Sequence, residues 1–125
     1  VDADFASDDP GVDAKKLGGE VKLGGGPIIH KGAASNRRLV ELALEVAAAE
    51  GIPHQIKAVP GATQTDAEEL MAAVHTATLS FSLPTRYMHS ALEVADPADA
   101  EAGARLAAAV TRRLAEVWEP ERFLP

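Results

Sequence analysis

Apolar and acidic residues alternate from Val1 to Ala6, the two-residue period of a strand with one buried face. Residues 7 to 26 carry Asp8, Asp9, Pro10, Gly11, Gly18-Gly19 and Gly24-Gly25-Gly26, so this stretch reads as turns around a short strand at Val21–Leu23. Pro27–His30 reads as another short strand. From Ser35 the spacing becomes helical, with Leu39, Leu42, Ala43, Val46 and Ala49 on one face and Arg37, Arg38, Glu41 and Glu45 on the other. Ser35 is the expected N-cap and Gly51 the stop. His54–Val59 then reads as a strand. Thr65 to about Val74 reads as a helix opened by a capping box of Thr65 and Glu68. Ala77–Leu83 reads as a strand ended by Pro84. Asp96-Pro97, a cap followed by proline, opens a long helix to about Trp118 with Leu106, Val110, Leu114 and Val117 inward.

Strands alternating with helices predict an α/β layered sandwich around a central, largely parallel or mixed sheet. The 125 residues, 46% hydrophobic and 25% charged, suit one globular core, and with aromatics at 4% that core must be aliphatic. The net charge of -7 argues against a nucleic-acid partner, which would require a basic stripe. Without cysteine, disulfides and thiolate chemistry are excluded, and any metal must be held by His, Asp or Glu. No apolar run could span a bilayer as a helix and no secretion leader is visible, so the expected compartment is the cytoplasm, with no membrane partner. The chain opens in a strand without an initiating Met, and the expectation is that its front is missing.

The most informative segment is Ser82-Leu83-Pro84-Thr85-Arg86-Tyr87-Met88-His89-Ser90, which sets His89 just past a buried strand. Ligands gather outside strand ends in open α/β sheets, so His89 is placed to bind a metal; the competing reading is a loop histidine bonded to backbone. Asp2 and Asp4, two apart on a strand, share a face and can reach one site. The acids Asp2, Asp4, Asp8, Asp9 and Asp13 lack the glycine and distal glutamate of a calcium loop, and Asp9 and Asp13 read as solvated turn acids. Thr65-Asp66 reads equally well as a helix cap. His30, His54 and His75 have no metal-ligand spacing and read as structural, no HExxH occurs, and no serine lies in a GxSxG elbow.

Taken in order, VDADFASDDPG, GGGPIIHKGAASNRRLVELALEVAAAEGIPHQ, TD and PTRYMHS resemble the C-terminal half of the tetrahedral aminopeptidases, the glutamyl and deblocking aminopeptidases with their cellulase-like relatives. The resemblance runs from Val1 to about Leu114. It implies a cytoplasmic, homo-oligomeric peptidase acting on the N-termini of peptides, with two divalent ions, zinc or cobalt, held in an α/β catalytic domain. Asp2 matches an aspartate that binds one ion, and His89 a histidine that binds the other. Asp8, Thr65, Asp66 and Arg86 match positions beside the site or the substrate. Metals of this kind lower the pKa of bound water and polarise the scissile carbonyl.

The resemblance also implies that residues 1–125 are the C-terminal part of the catalytic domain, with the N-terminal part and an inserted assembly domain absent. The base glutamate, the bridging aspartate and further ligands would lie before Val1, so no catalytic residue is expected in this chain and it should be inactive alone. Where the family reads GGTD, this chain reads Thr63-Gln64-Thr65-Asp66, which would narrow or recharge the pocket. The alternative is a short or degenerate homologue acting as a non-catalytic binding or assembly module.

Overall fold

A computed structural model describes residues 1–62, 65–119 and 123; Thr63 and Gln64, and with them the expected narrowing of the pocket, lie outside the described residues. The elements run β1 (Asp2–Phe5), β2 (Ile28–Gly32), α1 (Arg37–Ala49), β3 (Gln55–Val59), α2 (Asp66–Val74), β4 (Phe81–Arg86), β5 (Val94–Ala95) and α3 (Pro97–Val117). The strands form one mixed sheet in the order β1-β4-β2-β3, with β5 also paired to β4. β1 runs parallel to β4 and β2 parallel to β3, while β2 and β5 are antiparallel to β4. This is the expected α/β layering around a mixed sheet.

The core lies between one face of the sheet and a layer made by α1 and α3. Ile29 and Phe81 meet Val40, Ala43, Val46 and Ala47 of α1 and Ala102, Leu106, Ala109 and Val110 of α3, with Leu114 and Val117 at the margin. These are largely the positions that the helical period selected. His30, adjacent to Ile29 on the same strand, is directed to the opposite face. That second face carries the site.

Local chemistry explains where the elements begin and end. α1 is capped by Asn36 rather than Ser35, the Asn36 side chain accepting from the amides of Arg38 and Leu39. Its far end closes at Gly51, in the left-handed region at φ 60, with Gly51 N–H donating to Ala48 and Ile52 N–H to Ala47. Asp96 caps α3 by accepting from Ala98, and Pro97 follows it. Thr65 holds the N-cap conformation of α2, but its side chain makes no cap hydrogen bond, so the first half of the expected capping box is not formed.

Two strands differ from expectation. Val21–Leu23 forms no strand, yet Val21 is fully buried and its backbone exchanges hydrogen bonds with Ser7. Pro84 does not end β4, which starts later than expected and continues to Arg86. β4 pairs with β2 only through Phe81 and Ser82 and with β5 only through Thr85 and Arg86, so the imino acid falls where that side of the strand has no partner to supply.

Buried Asp99, in the first turn of α3, ties the glycine triplet to the body by accepting from Gly24 at 2.8 Å and Gly26 at 2.7 Å. Gly26 has φ 89, and a Cβ there would collide with the Pro53 carbonyl, so glycine is required at this turn into β2.

Candidate functional site

A cleft of about 660 Å³ opens on the face away from α1 and α3, lined in part by β1, by His30 and Lys57, and by Met88, His89 and Glu93 from the loop after β4. Asp2 and His89, far apart in the chain, both line it. Thr65 lines it as well. Asp8, Asp66 and Arg86 do not line the cleft.

His89 is placed by a tight reversal of the chain after β4. Tyr87 and His89 both take left-handed backbone conformations, φ 59 and 67, and Ser90 N–H donates to the Tyr87 carbonyl. Such conformations are uncommon outside glycine and cost about 1 kcal/mol or more each, so the surroundings must hold them. They do so from two sides: His89 N–H donates to Glu93 Oε1 at 2.8 Å, and its ring meets Phe5 of β1 edge-on at 5.8 Å. The imidazole is exposed on the cleft.

Asp2 is also exposed, and its Oδ1 accepts from Ala3 N–H at 2.8 Å. Ala3, which the two-residue period of a strand turns away from Asp2 and Asp4, lines the cleft together with Asp2, Asp4 and Phe5. Because successive residues of a strand face opposite ways, a cleft touched by all four runs along the edge of β1 rather than over one face.

Asp8 and Arg86 form a pair of their own. Arg86 Nε donates to Asp8 Oδ1 at 3.0 Å and Nη2 to Oδ2 at 2.6 Å, while Leu23 N–H also reaches Oδ2. The bidentate guanidinium holds the Asp8 carboxyl below the usual aspartate range, and Asp8 in turn raises Arg86. The pair fastens the turn after β1 to the end of β4, one element that carries Asp2 to the one that carries His89. Asp66 is the exposed first residue of α2.

No local spacing announces the cluster beneath the cleft. Lys57 Nζ stands 2.7 Å from both oxygens of Asp4, and His30 Nε2 lies 3.0 Å from Asp4 Oδ2. His30 Nδ1 is buried and has no hydrogen-bond partner among the described residues. Burial alone would raise the Asp4 carboxyl, but the contacts with His30 and Lys57 outweigh it and hold the group below its ordinary value. Asp4 was legible as a second acid on the face of Asp2. Lys57 was hidden because a lysine in a strand ordinarily points to solvent.

Two candidate ligands do not complete a four-coordinate metal site. Among the described residues no group of three or more His, Cys, Asp or Glu side chains is gathered closely enough to hold a metal ion. The described residues therefore do not fit a metal by themselves.

Residues 1–106 match the M42 glutamyl aminopeptidase family. A lysyl aminopeptidase of Pyrococcus furiosus is 37% identical over 105 residues, covering 83% of this chain and 29% of its own length. The crystal structure of a TET aminopeptidase from a marine-sediment Thaumarchaeota archaeon superposes with a TM-score of 0.76 at 26% identity, covering 90% of this chain and 32% of that one. A Pyrococcus horikoshii TET1 peptidase, which can assemble into a tetrahedron or a large octahedral shell, gives 0.62 at 32% identity over 85% of this chain and 30% of that one. The chain thus spans less than a third of the length of each of these relatives, and by the extent of the match it belongs to the M42 glutamyl aminopeptidase family.

Proposed function

We propose that this chain is the C-terminal part of the catalytic domain of a metal-dependent aminopeptidase, whose intact form removes N-terminal residues from peptides. In this reading Asp2 and His89 each bind one of two divalent ions, zinc or cobalt, and the remaining ligands and the general base lie outside the chain. The supporting observation is that Asp2 and His89, far apart in sequence, line one cleft that runs along β1, Asp2 at the start of that strand and His89 just past the far end of its parallel neighbour β4. Asp8 and Arg86 support that arrangement from outside the cleft, Thr65 sits on its wall, and Asp66 belongs to the start of α2. The assembly of a TET relative supports a homo-oligomeric intact protein, and the acidic charge supports a peptide rather than a nucleic acid as partner. No helix among the described residues is long and apolar enough to cross a membrane, which is compatible with a cytoplasmic enzyme.

A second reading, a degenerate homologue serving as a binding or assembly module, is favoured by Thr63-Gln64-Thr65-Asp66 in place of the family's GGTD. One pair of assays separates the two. The purified chain with zinc or cobalt should not turn over aminoacyl anilides. A chimera in which it replaces the matching region of the Pyrococcus furiosus lysyl aminopeptidase should turn them over and lose that activity with His89→Ala. Turnover by the chain alone would sink the proposal, and a folded but inactive chimera would favour the second reading.

A further inference from the structure

Two aromatic side chains meet just past α3, beyond the residues 1–106 that match the family. The backbone turns extended at Trp118, and the indole stacks on Phe123 with ring centroids 5.4 Å apart and planes 8° from parallel. Phe123 is only 2% exposed, and with Leu42 of α1 and Val117 of α3 it lines a cavity of about 120 Å³ between the two helices. Its carbonyl accepts from Asn36 Nδ2 at 2.8 Å.

That bond falls on the residue that caps α1. The Asn36 amide is used at both ends: Oδ1 accepts from the N–H groups of Arg38 at 3.0 Å and Leu39 at 3.2 Å, while Nδ2 serves Phe123. The Asn36 backbone is anchored separately, its N–H donating to the Thr78 carbonyl at 2.7 Å, so the side-chain amide is the part left to turn. Turned over, it would set a donor against two donors, and the cap would be lost. The Phe123 carbonyl can accept only from the nitrogen end, and so it selects the capping orientation.

We propose that Trp118 and Phe123 form an aromatic strap that closes over the start of α1 and holds the Asn36 amide in its capping orientation. With the strap closed, the first turn of α1 is fixed; with it open, that turn frays by local unfolding. The device is carried by this chain's own contacts and does not depend on the enzymatic reading.

Trp118 is the one tryptophan of the chain, so its emission reports the strap directly. In the full chain, Phe123→Ala should shift that emission to the red and raise its quenching by acrylamide. The Arg38 and Leu39 amides should then exchange about 5-fold or more faster, the effect of a lost N-cap. Adding Asn36→Asp should restore slow exchange at both amides while Trp118 stays open, because either carboxylate oxygen accepts and no orientation has to be chosen. Asn36→Asp alone, which keeps Phe123 and a good cap, should open the strap by facing the Phe123 carbonyl with a carboxylate, without speeding exchange at Arg38 and Leu39. Trp118 emission and quenching unchanged in Asn36→Asp, exchange at Arg38 and Leu39 unchanged in Phe123→Ala, or fast exchange persisting in the double variant would each overturn the proposal.

Discussion

Replacing Lys57 by Met removes the cation that grips Asp4 and leaves a carboxylate against the floor of the cleft. Lys57 Nζ reaches both Asp4 oxygens at 2.7 Å, with side-chain exposures of only 9% and 14%. Breaking one partner of a buried pair costs about 3–5 kcal/mol, because the other charge stays desolvated. Asp4 keeps some contact with water and has His30 Nε2 at 3.0 Å, which brings the expected loss to about 2–3 kcal/mol. In a domain of this size that lowers Tm by about 10 °C. Urea unfolding at pH 7 would show the loss as a lower midpoint with an unchanged slope. Removing both charges, Asp4→Val with Lys57→Met, should recover most of the stability, since a buried pair exchanged for apolar side chains is often neutral or better. A loss below about 1 kcal/mol, the range of exposed pairs, would refute the claim that the cluster is buried and coupled. A double variant as unstable as Lys57→Met alone would refute it too.

Three further outcomes follow from particular contacts. Asp99→Ala strands the buried amide of Gly26 and leaves that of exposed Gly24 to water, and a loss of about 1–3 kcal/mol in urea unfolding is expected, the cost of one unsatisfied buried donor; a loss within error of zero would show that water replaces the carboxylate at Gly26 too. Asp8 has a folded pKa depressed below 3.8, so its contribution to stability is complete above that value and is lost as pH falls through the lower folded value. The urea midpoint of the parent chain should therefore fall more steeply than that of Asp8→Asn below pH 3.8, and parallel curves would contradict the pairing with Arg86. Gly26→Ala should destabilise strongly by steric conflict with Pro53, checked by thermal unfolding against Gly61→Ala, where a Cβ meets nothing within 4 Å.

The periodicity of α1 and α3 revealed the helical layer because their apolar positions repeat at the helical spacing and pack on one sheet face. Gly51 and Asp96-Pro97 were equally legible, since each works through local backbone chemistry. Other boundaries depended on distant partners. Pro84 is tolerated in β4 only because of where β2 stops and β5 starts, and β5 itself is two exposed residues with no pattern to read. Asn36 displaced Ser35 as cap in a loop whose amide also donates to Thr78 across the fold. The site shows the same division. Asp2 and His89 stood out through motif resemblance, and the structure brings them to one cleft. The Asp4–Lys57–His30 cluster joins three separate strands, and no local spacing encodes such a contact.

Titrating cobalt into the 15N-labelled chain and following paramagnetic broadening tests whether Asp2 and His89 form an incomplete metal site on one cleft. Binding should be weak, because affinity needs several ligands already in place. The broadening should be centred on Asp2 and His89, with Phe5 and Glu93 next, and be lost in the Asp2→Asn, His89→Ala variant. Tight binding that survives both substitutions, or broadening centred elsewhere on the chain, would contradict it.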